Sequence, residues 1–435
     1  MYTKIGNFLP REVLHRIEPF VERDEIVLIL GARQVGKTCL LRYIQEKLKE
    51  EGKSTFFIDL EDIELRGAIK SPQDLLSYLR AGGYEGKRAY VFLDEVHYMQ
   101  NAPSILKYLH DHYPALKFFV TGSSSLKLRF KLGEPLTGRK VVFNLYPLSF
   151  EEYLVFSGNE RLKEVLRTFK DKKIPEPFLT HISKAYEEYI IWGGYPKVVI
   201  TPSFEVKGEI LKEIFTTYLE KEVRGLVKED KFEHFSRFVR FLTVQNGNLL
   251  KILEVSKELG IQRSTVQRYL SILEETFVAK RLLPVAKNRQ KELTRTPKFY
   301  FFDTGFINFL NKDFRTLIIR SDAGFLIETA VFTSILRGLS PLEEINFWRT
   351  KSGQEIDFII RSRGEHVPVE VKWHNNPRIT TSLKNFIGDY ESTKAIVLTK
   401  SMWQKKKFGS CKIQFLPAFM ADRFRELNWK KSPAL

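Results

Sequence analysis

Residues 25–44 read EIVLILGARQVGKTCLLRYI, and no other stretch of the chain restricts its fold so tightly. The apolar run Ile26–Leu30 has the length and composition of a strand buried on both faces. It runs into GARQVGKT, Gly31 to Thr38, in which a glycine and four residues precede Gly-Lys-Thr. That spacing, between a strand and a helix, is the pattern of a phosphate-binding loop. Gly31 and Gly36 let backbone N–H groups curl around a β-phosphate at the positive end of the next helix. Lys37 would reach the β- and γ-phosphates, the Thr38 hydroxyl would coordinate Mg²⁺, and Cys39 follows in the segment that contacts the nucleotide. The expected ligands are ATP and Mg²⁺.

Two more apolar strands supply the remaining chemistry of such a site. AYVFLDEVHYM, residues 89–99, ends in Asp94-Glu95, expected to serve the magnesium shell and the attacking water respectively. LKFFVTGSSSLK, residues 116–127, ends in hydroxyls, with Ser123 and Ser124 expected to sense the γ-phosphate; a plain turn is the alternative. Arg139 follows a Thr-Gly turn and could offer its guanidinium to a γ-phosphate in cis or in a neighbouring copy, or be an ordinary surface arginine. Strands alternating with helical stretches imply a parallel sheet covered on both faces.

With 435 residues the chain should form two or three domains, and 43% hydrophobic residues can bury sizeable cores. No apolar run is long enough for a membrane helix and the N-terminal stretch lacks a signal-peptide core, so the expected location is cytoplasmic with no membrane partner. Two cysteines, Cys39 and Cys411, make neither a disulfide framework nor a zinc cluster. The formal net charge of +17 points to a polyanion, nucleic acid first. His110 and His112 lack ligand neighbours; His97 and His374 merely lie beside candidate sites.

The middle of the chain turns helical and charged. In LLKILEVSKELGIQRSTVQRYLSILEETFVAKRLLPV, residues 249–285, one helix should end at Gly260 and another begin with Ser264 or an adjacent residue as N-cap. Helix, glycine turn, helix and strand form the order of a winged helix-turn-helix. Its second helix would present Gln262, Arg263, Thr265, Gln267 and Arg268 to the major groove, with the basic run 286–298 adding charge; a protein-packing role is the alternative.

The last third carries GQEIDFIIRSRGEHVPVEVKW, residues 353–373. Strand alternation puts Glu355 and Asp357 on one face of the first strand, and Glu370 with Lys372 on one face of the second. Glu328 precedes them on a helix. Asp357 and Glu370 would bind Mg²⁺ or Mn²⁺ with Glu328 beside them, and Lys372 would activate water, as a nuclease centre requires. Cross-strand salt bridging explains the same residues without catalysis.

Taken in order, GARQVGKT, VFLDEVHYM, TGSSS, LTGRK, YPLSFEEYL, WGGYPKVV, RSTVQRYLSILEETFV, PKFYFFDTG, FLIETAVF, FWRTKSGQEIDFII and PVEVKW resemble one family over nearly the whole length. It comprises archaeal and bacterial AAA+-like P-loop ATPases with a winged helix and a C-terminal PD-(D/E)XK nuclease-like domain. The resemblance implies an α/β chain with three parts: a parallel-sheet ATPase domain at 1–155, a helical region at 156–298 with its winged helix at about 236–290, and a restriction-endonuclease-like domain at 299–435. It also implies slow ATP hydrolysis and a link to DNA, duplex or branched, with homo-oligomers a further expectation. It assigns phosphate and Mg²⁺ contacts to Gly36, Lys37 and Thr38, metal and water to Asp94 and Glu95, the sensor to Ser123 and the family's Gly-Arg arginine to Arg139. The leading expectation is a DNA-binding ATPase whose nucleotide state controls the later domains. The alternatives are a metal-dependent nuclease regulated by the ATPase, and a nucleotide-gated protein scaffold without a DNA role.

Overall fold

The computed structural model describes residues 5–6, 8–122, 136–169, 172–224, 226–227, 231–285 and 296–424. Two compact units emerge: Met1–Tyr146 with Glu220–Gly225 and Glu275–Phe277, and Pro147–Leu219 with Leu226–Glu274 and Val278–Leu435. The three-part division into 1–155, 156–298 and 299–435 is finer than these units and stands as a proposal about modules.

The first unit is built on five strands: β1 (Ile26–Gly31), β2 (Ser54–Asp59), β3 (Ala89–Asp94), β4 (Leu116–Gly122) and β5 (Lys140–Leu145), in the order β2-β3-β4-β1-β5. Every pairing is parallel. IVLILG, AYVFLD and LKFFVTG are buried along their whole lengths, as continuous apolar runs in a sheet covered on both faces must be. The helix Lys37–Glu50 buries Leu40, Leu41, Tyr43, Ile44 and Leu48. Each such side chain contributes roughly 1.5–3 kcal/mol, so the element following the phosphate loop is firmly anchored. All five strands run the same way, so the loops after β1 and β3 gather at the carboxyl ends, where open α/β sheets bind ligands.

The second unit begins with helices, among them Glu176–Trp192, Phe204–Thr217, Phe232–Val244, Ile252–Leu259 and Arg263–Glu275. Gly260 ends the fourth of these at φ 66°, a left-handed turn suited to glycine. The next helix opens at Arg263, not after Ser264, because the Gln262 carbonyl already accepts from the Val266 N–H. An antiparallel pair follows, β6 (Ala279–Leu282) with β7 (Lys298–Phe301).

Beyond the helix Ala323–Gly338 lies a mixed six-stranded sheet of β8 (Glu343–Arg349), β9 (Glu355–Ser362), β10 (Glu365–Lys372), β11 (Lys394–Thr399), β12 (Gln404–Phe408) and β13 (Cys411–Pro417). Its order is β12-β13-β11-β10-β9-β8, with β10, β11 and β13 parallel and the outer pairings antiparallel. Ile356 and Ile359 of β9 share a core with Leu383, Phe386 and Ile387 of the helix Thr381–Tyr390. A buried node ties the unit's helices together: Asp303 accepts from the Gly194 N–H at 2.7 Å and the Phe306 N–H at 2.9 Å.

Candidate active site

At the end of β1 the chain turns sharply into the helix Lys37–Glu50. Gly36 takes φ 95°, which side-chain-bearing residues rarely adopt. At Gly31 a Cβ would lie 2.2 Å from the Leu145 carbonyl oxygen, so β5 packs where only glycine fits. Arg11, 5% exposed, braces the loop by donating to the Val35 carbonyl at 2.7 Å and the Tyr146 carbonyl at 2.8 Å.

Lys37 is buried, and its ammonium donates to the Gly31 and Ala32 carbonyls at 3.2 and 3.1 Å. It also lies 3.4 Å from a Glu95 carboxylate oxygen. Glu95 follows β3 in left-handed backbone at φ 51°, and its N–H donates to the Thr121 hydroxyl at 2.9 Å. His97 Nδ1 stands 3.1 Å from the other Glu95 oxygen. Burial pushes the Glu95 carboxyl up, but Lys37, His97 and Arg33 outweigh it and hold the group down at about 2. Asp94 behaves oppositely: burial raises its carboxyl, although hydrogen bonds from Thr121 and Thr38 pull the other way.

The expected residues Gly31, Gly36, Lys37, Thr38, Asp94 and Glu95 therefore meet at the carboxyl ends of β1 and β3. Thr38 and Cys39 are exposed at the start of the helix. Thr38 and Asp94, already hydrogen-bonded, form the hydroxyl-plus-carboxylate pair that suits Mg²⁺.

Arg139 does not join them. Its carbonyl accepts from the Ile26 N–H at 2.8 Å, which places it at the amino end of β1. A strand of this length separates it from the loop by roughly 15–20 Å. Its guanidinium pairs with Asp111 at 2.6 and 3.0 Å on the surface. The cis role is thereby corrected, and only a role toward another copy is left as a proposal. Ser123 and Ser124 lie outside the described residues.

Sequence reasoning missed three contributors. Thr121 links Asp94 and Glu95 from β4, and its only signal was a threonine in VTG just before the serines. Arg11 carried no motif at all. Arg33, inside the loop, donates to Glu222 at 2.8 Å and to the Tyr98 hydroxyl at 3.3 Å. Glu222 is 3% exposed and 189 positions away, a partnership no local pattern reveals.

At the start of the helix Arg263–Glu275, Arg263, Gln267 and Arg268, and Gln262 just before it, are exposed, and Thr265 is half-buried. Arg268 also donates to the Leu226 carbonyl at 2.5 Å.

Each candidate acid of the second unit has hydrogen-bonding partners in the protein. Glu370 is 1% exposed: it pairs with Val397, which packs against the helix Thr381–Tyr390. Thr380 donates to it at 2.7 Å, and burial lifts its carboxyl to about 7 despite the pull of Lys372. Asp357 accepts from the Val371 N–H at 2.7 Å and lies 3.8 Å from Lys372. Glu328 accepts from Lys298 at 3.1 Å and from the Tyr300 hydroxyl. Among the described residues no three His, Cys, Asp or Glu side chains are placed to hold a metal. The expected set of Glu328, Asp357 and Glu370 is thus not assembled as metal ligands: hydrogen bonds and a lysine hold each acid in place.

Comparison with known proteins agrees with the first unit's architecture. Residues 23–154 match a family described as an AAA domain, and 183–316 and 323–418 match two domains of unknown function. An uncharacterized protein of Haemophilus influenzae is 24% identical over 93% of this chain and 96% of its own length. An uncharacterized protein of Methanocaldococcus jannaschii is 27% identical over 78% of this chain and 72% of its own. The chain is also similar to the Aeropyrum pernix ORC1 protein, solved in complex with DNA, over 70% of this chain and 93% of that one, at 10% identity and a TM-score of 0.31. The first unit has a P-loop fold of the AAA type. Among the described residues no helix is long and apolar enough to cross a membrane.

Proposed function

We propose that the chain is a Mg²⁺-dependent ATPase that binds DNA, with nucleotide state controlling the winged-helix and nuclease-like parts of its second unit. The observation that carries the ATPase reading is the convergence of Lys37, Thr38, Asp94 and Glu95 at the carboxyl ends of β1 and β3. Thr38 and Asp94 would hold Mg²⁺, which when bound neutralises phosphate charge.

The chain's own residues divide the remaining work. Lys37 spends its charge on two loop carbonyls and Glu95, and those contacts are given up when it turns to phosphate. Glu95 then loses its strongest counter-charge. Its basicity rises, which suits it to take a proton from the attacking water. Thr121 fixes both ends of the Asp94-Glu95 pair through its hydroxyl. Arg33 ties the phosphate loop to Glu222, beside the positions 219 and 226 where the chain belongs to the second unit.

Support for the DNA part is the net charge of +17 and the exposed Gln262, Arg263, Gln267 and Arg268 at one helix start. The test is duplex affinity measured across rising salt, with ATP turnover followed in parallel. True phosphate contacts give a steep loss of affinity between about 50 and 200 mM salt, and DNA should raise turnover in wild type but not in Lys37→Ala. A flat salt response with unchanged turnover would favour a protein scaffold.

A further inference from the structure

Lys298 ends the basic run 286–298 and opens β7, yet it is 3% exposed. Its ammonium lies 2.6 Å from Glu355 and 3.1 Å from Glu328, with the Tyr300 hydroxyl 3.4 Å away. Glu328 comes from the helix Ala323–Gly338, Glu355 opens β9, and Lys298 opens β7. Three separate elements thus deliver one cation and two acids to one buried point. Asp357 adds its field to the same lysine.

We propose that Lys298 is the resident cation of this acidic centre, its ammonium standing where a divalent ion would have to bind between Glu328 and Glu355. An ammonium offers three donors and a full positive charge, and the two carboxylates and the tyrosine oxygen provide three acceptors. The rest of the centre balances in the same way. Glu355 has a second partner in Arg349 at 2.5 Å, and Asp357 has Lys372 at 3.8 Å. Glu328, Glu355 and Asp357 thus each have a cation within 4 Å, and Glu370, the remaining acid, is hydrogen-bonded to Thr380 with its other oxygen unpartnered. A divalent ion entering beside Glu328 would meet Lys298 at close range, a repulsion that a buried site does not screen. Lys298 is the positioning residue of the Glu328–Glu355 pair rather than a catalytic one. This inference does not rest on the ATPase reading.

The test uses full-length, nucleotide-free protein with Thr38→Ala in every arm to remove metal binding at the phosphate loop. Mn²⁺ alone is the probe, followed by its electron paramagnetic resonance signal and by thermal melting. The parent should show no tight Mn²⁺ site and no Mn²⁺-dependent change in melting temperature. Lys298→Met should melt lower without metal, gain a Mn²⁺ site at least about tenfold tighter than any in the parent, and recover stability on adding Mn²⁺. Adding Glu328→Gln to Lys298→Met should abolish that gain. Parent and Lys298→Met binding Mn²⁺ equally at a site lost in Glu328→Gln would overturn the proposal. So would a folded Lys298→Met with no gain, or a Lys298→Met that stays unfolded with Mn²⁺ while Lys298→Met/Glu328→Gln/Glu355→Gln folds.

Discussion

Replacing Glu95 with Gln separates the two tasks assigned to this carboxylate. In the nucleotide-free protein Glu95 faces Lys37 at 3.4 Å and is held at about 2. Against an unfolded glutamate near 4.3, that difference corresponds to roughly 3 kcal/mol. Direct Coulomb attraction at this separation, with an effective dielectric near 20, gives about 5 kcal/mol before desolvation, so the two figures agree in scale. The sign follows from a depressed carboxyl: the stabilisation is present above about pH 4 and is lost as pH falls toward 2. Glu95→Gln should therefore lower unfolding free energy by about 3 kcal/mol at pH 7 and by little near pH 2, read by urea denaturation. The same change frees Lys37 for phosphate. ATP should bind at least as tightly as in wild type, while hydrolysis falls by about 10²–10⁴ because no base faces the water. Isothermal titration and a phosphate-release assay read the two quantities. Weaker ATP binding in Glu95→Gln, or turnover within threefold of wild type, would refute the assignment.

Other consequences can be measured on the same protein. Arg33→Ala strands the buried Glu222 and should cost about 3–5 kcal/mol, whereas Arg33→Met with Glu222→Leu should recover most of it; chemical denaturation of the three proteins decides. Burial lifts Asp303 to about 6, so its contribution is complete below about pH 4 and lost as pH rises through 6, a decline of roughly 3 kcal/mol that Asp303→Asn should flatten in denaturation curves taken across that range. Arg263→Ala should reduce the salt slope of DNA affinity by about one unit with unchanged melting temperature, measured by fluorescence anisotropy.

What could be read from the sequence was local. Gly31 to Thr38 and Asp94-Glu95 are contiguous motifs beside continuous apolar strands, and their spacing alone places them at one end of a parallel sheet. Gly260 was likewise legible, because a helix end and a left-handed turn lie within a few residues. Partnerships across long separations were not. Arg33 and Glu222 meet through tertiary folding, and neither has a periodic pattern that names the other. Arg139 looked like a phosphate-facing arginine because Thr-Gly-Arg precedes a strand, but a parallel β5 puts its first residue at the end opposite the loop. Glu370 follows strand alternation faithfully, yet it is buried, and its strand partner Val397 packs against the helix Thr381–Tyr390. Lys298 was hidden for a related reason: within a run of lysines and arginines, nothing local distinguishes the one that turns inward.

The measurement closest to the central claim is ATP turnover by the full-length chain with Mg²⁺, comparing wild type with Lys37→Ala and Thr38→Ala. Wild type should release phosphate and both variants should fall to background, with Thr38→Ala still folded although it loses its hydrogen bond to the buried Asp94. Turnover that persists in both variants would place hydrolysis elsewhere and contradict the claim.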